Sequence, residues 1–328
     1  MKLNAAPYIC LAAILCLSSC GLFHKKKKVE PKPDLVIGYI PSSDMFPYHL
    51  ALLHGYYDSL QVHVRFRRME SRAQRDSLYR KGKLDGCAID LADAIGLSAQ
   101  GNPIHPVMAN EGCFYLLATP DSTIRHLDGL KEKSVGVNPY SATEYLTDVI
   151  TRRFGYLDDD VNKPEIANDY YRLQMLLNNQ IDAGMFGEPY STEAVKKGAI
   201  KLYSCNELNR VTTVTAFRST ALQKKREAIK KLIEGYNKAV AYINVHPVRE
   251  WYREVADSIG ITPYKPPFKI APFHQARAIP QSDIDSTTQW MKRYQLVPPR
   301  YKADIVDYTF IAKPQAKPTT HNHKTKAK

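Results

Sequence analysis

The apolar run at residues 9–17 (ICLAAILCL) has nine residues where a membrane-spanning helix needs about 20, which excludes a permanent span there. Cysteine is sparse and badly spaced for chemistry. Of the six, Cys10, Cys16 and Cys20 lie at the start, and Cys87, Cys113 and Cys205 are far apart, with no C-x-x-C pair to hold a metal or run a redox cycle. The histidines His49, His54, His63, His105, His126, His246 and His274 are scattered in the same way. No Ser–His or Cys–His pairing falls at a strand end, so neither a metal nor a cofactor is expected. Basic charge is abundant but misplaced for nucleic acid. Of the net +13, Lys2 supplies one charge, residues 21–33 supply four and residues 313–328 supply five. About +3 is left on residues 34–312, too little for a nucleic-acid footprint on the folded part.

What is present begins with an export signal. Lys2, the nine-residue apolar run and the small residues Ser18 and Ser19 have the order of a secretory leader, expected over residues 1–19. The end of that stretch, Leu17-Ser18-Ser19-Cys20, resembles the lipobox of bacterial lipoproteins, which implies that Cys20 is lipidated and becomes the first mature residue. Acyl chains at about 0.8 kcal/mol per buried CH₂ would then hold the protein on a membrane surface. Residues 20–33 read as a basic tether that could reach roughly 40 Å at about 3.3 Å per residue. Residues 313–328, rich in Pro, Thr and Lys, read as a disordered tail. Cys87 and Cys113, in the apolar contexts GCAID and EGCFYLLA, read as buried free thiols, with a Cys87–Cys113 disulfide as the minority alternative.

Between the two ends the pattern alternates short strands with helices, the signature of an α/β fold. Strands are expected at 35–40, 61–66, 86–90, 104–109, 113–119, 134–138, 183–186, 200–203 and 211–217. Helices are expected around Leu50–Leu53 and over 72–81, 91–99, 141–154, 189–197, 223–245, 249–259 and 284–294. About 280 residues suit two lobes better than one core. The expected division is a first lobe at 34–117 plus 212–312, completed by the C-terminal helices, and a second lobe at 118–211. Two connecting strands, near 113–119 and 211–217, would join them.

Ligands of open α/β sheets bind beyond the carboxyl ends of the strands, so the turns there hold the candidate site. Ser42 and Ser43 follow the first strand, with Phe46 just beyond, and Asp90 ends the third. Asn110 and Glu111 lie between two strands. Tyr140, Ser141, Ala142 and Thr143 open a helix, and Glu188 and Tyr190 end a strand in the second half. Helix fronts carry unpaired N–H groups and partial positive charge, which suits an anionic or carbonyl group. Each residue taken singly also reads as a cap: Ser141 and Glu144 have the spacing of a capping box, and Asp90 could cap its own helix. Glu111 and Glu188 favour a ligand with amino or hydroxyl donors, or else face solvent. Phe46, Tyr140 and Tyr190 could stack on a planar ring.

Several of these stretches together resemble one family. VIGYIPSS at 36–43, GKLDG at 82–86, LDGLK at 127–131, LLNNQIDA at 176–183 and EPY at 188–190 occur in the order seen in periplasmic substrate-binding proteins of the nitrate/sulfonate/bicarbonate and thiamine-pyrimidine type. A weaker match at 244–247 (NVHP) and 289–291 (QWM) extends it. Lys131-Glu132-Lys133 departs from the usual Lys-Gly-Lys, and the cysteine-rich motif of the pyrimidine-synthesising relatives is absent. The resemblance implies a type 2 periplasmic-binding fold that closes on a small solute and delivers it to the permease and ATPase of an ABC importer. It also places Ser42, Ser43 and residues 140–143 at the ligand. A monomer tethered through Cys20 is expected. The alternatives are an enzyme on the same fold, similar to a thiamine-pyrimidine synthase or a chorismate dehydratase, and a sensor that keeps the fold without transport.

Overall fold

The computed structural model describes residues 32–261 and 273–312. The expected leader, Cys20, the tether up to residue 31 and the tail at 313–328 lie outside the described residues. The chain opens with β1 (Leu35–Tyr39), α1 (Phe46–Leu53), α2 (Tyr56–Ser59), β2 (Val64–Arg68), α3 (Arg72–Arg80), β3 (Gly86–Asp90), α4 (Leu91–Ala99) and β4 (Ile104–Ala109). It then crosses to β5 (Phe114–Ala118), β6 (Val135–Gly136), α5 (Ala142–Arg153), α6 (Asp169–Leu177), β7 (Ala183–Gly187), α7 (Tyr190–Lys196) and β8 (Ile200–Ser204). Returning through β9 (Thr213–Arg218), it finishes with α8 (Ser219–Lys224), α9 (Arg226–Val245), α10 (Val248–Ile259) and α11 (Gln281–Arg293).

Two sheets result, ordered β2-β1-β3-β9-β4 and β6-β7-β5-β8. β1 pairs in parallel with β2 and β3, whereas β9, arriving from the other lobe, runs antiparallel between β3 and β4. β5 sits likewise between β7 and β8, antiparallel to both. The two connecting strands are thus interior members of their own sheets, and the crossings are the short stretches just before them, at 110–113 and 205–212. At the first crossing the backbones come too close for a side chain: a Cβ on Gly112 would lie 2.8 Å from the Thr213 hydroxyl oxygen and 2.9 Å from the Phe114 ring.

Period-two alternation assigns the faces of each sheet. On β1, Leu35, Ile37 and Tyr39 face the layer of α1, α9 and α10, where Phe46, Tyr48, Trp251 and Tyr252 are fully buried; Val36 packs against the opposite layer. Each such large side chain contributes on the order of 2–3 kcal/mol by leaving water. On β5, Leu116 and Ala118 join the core that continues through both lobes, while Leu117 faces α6 and α7. The last helix does more than complete the first lobe. α11 packs on α4, yet Trp290 Nε1 and the Tyr294 hydroxyl both donate to the Asp148 carboxylate on α5, at 2.8 and 2.6 Å, and Lys163 donates to the same group at 2.6 Å.

Several expectations shift. The strand expected at 61–66 forms at Val64–Arg68, because Gln61 adopts a left-handed φ of 53° that belongs to the turn before it. The helix expected at 223–245 is broken at Lys225, whose φ of −126° leaves the helical region. Helix α6 was not anticipated: its inward position is Arg172, fully buried and donating to the carbonyls of Met185 and Ile166, while Tyr170 and Tyr171 are exposed, an inversion of the usual pattern. Cys87, Cys113 and Cys205 are all unpaired, which removes the disulfide alternative. Cys113 is only half-buried, correcting the expectation that it is a core thiol; its Sγ donates to the Tyr115 hydroxyl at 3.3 Å.

Candidate functional site

The turns after β1, β3 and β7 and the front of α5 converge between the lobes. They surround a cavity of about 140 Å³ lined by Ser42, Asp44, Asp90, Ser141, Thr143 and Glu188, among others. A second cavity of about 280 Å³ lies alongside, reaching Asn110, Glu111, Arg210, His274 and Arg277. The two share Ser43, Gly112, Cys113 and Glu188, so they are chambers of one cleft. Their size suits a compact ligand.

The front of α5 is closed by local chemistry. Ser141 Oγ accepts the Thr143 N–H at 3.1 Å and donates to the Asn138 carbonyl at 2.7 Å. Thr143 Oγ1 accepts the Asn138 N–H at 2.9 Å. Glu144 accepts the N–H of Tyr140 at 2.7 Å, one residue short of the reciprocal bond of a capping box. The Ala142 N–H donates at 2.9 Å to Asp90 Oδ2 from the other lobe. Asp90 makes no side-chain cap on its own helix α4; it caps α5 instead.

Carboxylates dominate what remains. Burial pushes Asp90 up to about 6, with the Asp93 charge adding to the rise and the Ala142 N–H and Arg72 opposing it. Burial also pushes Asp44 up to about 7; Thr213 beside it lowers the value, and the Asp90 and Glu111 charges raise it. No hydrogen bond of standard geometry links Asp44 to Thr213, whose hydroxyl is buried without a partner. Glu188 is likewise raised by burial, although its Oε2 accepts the Thr192 N–H at 3.3 Å. The guanidinium groups are engaged with other acids. Arg72 and Arg75 both grip Asp93, and Arg72 also donates to the Pro139 and Tyr140 carbonyls at 2.8 and 3.2 Å, tying first lobe to second. Arg277 and His274 hold Glu111 at 3.3 and 3.1 Å, and Arg210 holds Asp283 at 3.3 Å.

Of the twelve residues read from the sequence, Ser42, Ser43, Asp90, Asn110, Glu111, Ser141, Ala142, Thr143, Glu188 and Tyr190 line one chamber or both. Phe46 does not: it is fully buried in the first-lobe core against Trp251, Tyr252 and Phe273, so it cannot stack on a ligand. Neither does Tyr140, which is 44% exposed with a left-handed φ of 55° and borders an outer groove beside Arg72 and Met291. The sequence reading missed Asp44, Arg72, Asp93 and Thr213. Asp44 was legible as the residue after Ser42-Ser43, since its place on the first turn after β1 aims it at the same space. Arg72 and Asp93 carried no such signal, because their role depends on two helices meeting. Among the described residues no cluster of three or more His, Cys, Asp or Glu is arranged to hold a metal, and no helix is long and apolar enough to cross a membrane.

Comparison with known proteins agrees with this architecture. No curated protein matches the chain. Among solved structures, the aliphatic sulphonate-binding protein SsuA of Escherichia coli is similar at a TM-score of 0.67 and 16% identity, over 82% of this chain and 90% of that one. The nitrate-binding protein NrtA of Synechocystis is similar at 0.67 and 14%, over 81% and 82%. An ABC transporter protein of Parabacteroides distasonis is similar at 0.59 and 15%, over 83% and 98%. At such identities the likeness is one of fold, the two-lobed periplasmic-binding fold. Residues 28–260, well over half of the sequence, match the NMT1-like family, and the chain belongs to that family.

Proposed function

We propose that this chain is the solute-binding component of an ABC importer, exported, anchored through Cys20 and acting as a monomer. It closes on a small polar solute between its lobes and presents that solute to a permease. The observation that carries this reading is the two-chambered cleft, lined from both lobes by the ends of β1, β3 and β7 and the front of α5. The two-lobe division expected from the sequence is part of the proposal, with its first boundary moved from residue 117 to the crossing at 110–113 because β5 pairs with β7 and β8, and its second kept near residue 212. Closure is favoured by contacts that exist only when both lobes meet the ligand, and a tether keeps the protein concentrated near its transporter.

Two other readings draw less support. For an enzyme, the Ser–His contacts that do occur, His49 with Ser258 and His105 with Ser219, lie away from the cleft. For a sensor without transport, Asp90 at the front of α5 is the relevant feature, but both chambers beside it remain open.

Thermal melting of the purified protein against sulfonates, nitrate, bicarbonate, pyrimidines, thiamine and amines tests the binding role. A ligand at 100 times its Kd adds about 2.7 kcal/mol of stability, a rise of several degrees for a chain of this size. Turnover of a bound compound would instead favour the enzyme. For the anchor, Cys20→Ala should move the protein from the membrane fraction to the soluble one; an unchanged membrane fraction would refute it.

A further inference from the structure

We propose that the solute is a compact organic cation bearing N–H groups, a protonated primary amine or an amidine, held by the carboxylates of Asp44 and Glu188 with the Thr213 hydroxyl. This rests on the binding-protein reading and names the class of solute within it.

The sign of the site comes from which charges are already answered. Arg72, Arg75, Arg210 and Arg277 are the arginines lining the two chambers, and each is salt-bridged to a carboxylate of the protein. Among the acids, Asp93 and Glu111 take those arginines, and Asp169 is paired with Arg172. That leaves Asp44, Asp90 and Glu188, none of which has a lysine or arginine within salt-bridge distance among the described residues. The Lys196 charge lowers the Glu188 carboxyl against the rise that burial causes. Among the described residues, each lining guanidinium is answered by a carboxylate, and three lining carboxylates have no lysine or arginine at salt-bridge distance.

Geometry removes the other anion seat. A helix front is the natural place for a sulfonate or nitrate, but at the front of α5 the Ala142 N–H donates to Asp90 and the Thr143 N–H to Ser141, and the Asp90 carboxylate stands where an anion would sit. Asp90 is therefore the least available of the three acids, and Asp44 and Glu188 are the ones that meet the open space.

The independent sign of a ligand is the unanswered hydrogen bonding. Thr213, 5% exposed, lines the smaller chamber with a hydroxyl that has no partner. Asp44, 8% exposed, lines the same wall. A buried hydroxyl and a buried carboxylate facing one cavity are costly unless a donor group completes them. The lining also selects among cations. Quaternary ammonium ions are held by aromatic cages; Phe114 and Tyr190 do line the smaller chamber, but a quaternary head has no N–H to give to Thr213 and Asp44. Carboxylates and a hydroxyl instead suit a head that can donate.

The test is calorimetric titration of the purified protein with ethanolamine, putrescine, agmatine and acetamidine, with choline as a cation lacking N–H donors on nitrogen, and with methanesulfonate and nitrate. At least one N–H cation should bind, choline should bind more weakly, and Asp44→Asn and Glu188→Gln should each weaken the cation about ten- to a hundredfold. Melting curves establish that both variants remain folded. Cation binding unaffected by either substitution overturns the assignment of these carboxylates. Binding of methanesulfonate or nitrate with no cation bound overturns the cationic class and leaves the binding-protein reading standing. Silence from both classes overturns the cationic class and removes support from the binding-protein reading as well.

Discussion

Asp44→Asn should make the ligand-free protein more stable at neutral and alkaline pH. Burial raises the carboxyl from 3.8 to about 7, with the Asp90 and Glu111 charges adding to the rise. A carboxyl whose folded pKa lies above its unfolded one destabilises when ionised. The folded state holds the extra proton between the two values, so stability falls as pH rises from 3.8 to about 7 and stays low above it. At about 1.4 kcal/mol per tenfold change in acidity, the ionised form costs about 4 kcal/mol. Asparagine keeps the shape and cannot ionise. The gap between variant and wild type should thus be close to zero at about pH 4 and approach about 4 kcal/mol at about pH 8. For a chain of this length that is a melting temperature higher by about 6 °C. Asp90 and Glu188, also raised by burial, act in the same sense in both proteins, so the difference isolates Asp44 and whatever repulsion it exerts on Asp90. Melting followed by circular dichroism across that range is the assay. A wild type as stable as the variant at high pH, or a gap that does not change with pH, would refute the reasoning.

Three further outcomes are expected. Arg72→Ala should cost about 1–3 kcal/mol and speed amide hydrogen exchange around residues 138–140, because the ties to the Pro139 and Tyr140 carbonyls are lost while Asp93 keeps Arg75. Trp290→Phe removes one of the hydrogen bonds to the buried Asp148 carboxylate and should cost about 1.5–3 kcal/mol in urea unfolding, whereas Asp148→Ala, which leaves Trp290 Nε1 without its acceptor and Lys163 with only the more distant Glu144 carboxylate, should cost more, about 3–5 kcal/mol. Phe46→Ala should destabilise by about 3–5 kcal/mol and Tyr140→Ala by less than about 0.5 kcal/mol, as core and surface positions do; similar costs for the two would contradict their placement.

Much of the fold was legible because its signals are local. β1, β3, β4 and α4 form where alternation or a β-branched run meets a polar turn, and their boundaries fall within a residue of expectation. The failures share one cause. α6 buries Arg172 beside Leu173 and Leu176, and besides Asp169 on the same helix its guanidinium is answered by the Met185 and Ile166 carbonyls, partners that the pattern of the helix does not reveal. Phe46, three residues after Ser43 and the first residue of α1, is taken up by the first-lobe core, where Trp251, Tyr252 and Phe273 surround it; those partners come from far along the chain and leave no mark on the local pattern. The turns of the site could be read; how its charges were answered could not, because Arg72 meets Asp93 across 21 positions of sequence and Asp90 meets Ala142 across 52.

Helix α11 adds a third link between the two lobes. Two bodies joined by a pair of chain crossings at 110–113 and 205–212 could both swing and twist. A third point of attachment lies midway along α5, where Trp290 and Tyr294 meet Asp148 and Lys163 holds the same carboxylate. Any rotation of one lobe on the other would have to carry α5 about that point, moving its front beside Asp90 and its back at Arg153 by similar amounts in opposite directions. A permease that grips α11 and α5 together would hold the lobes shut; one that pries them apart there would release the solute.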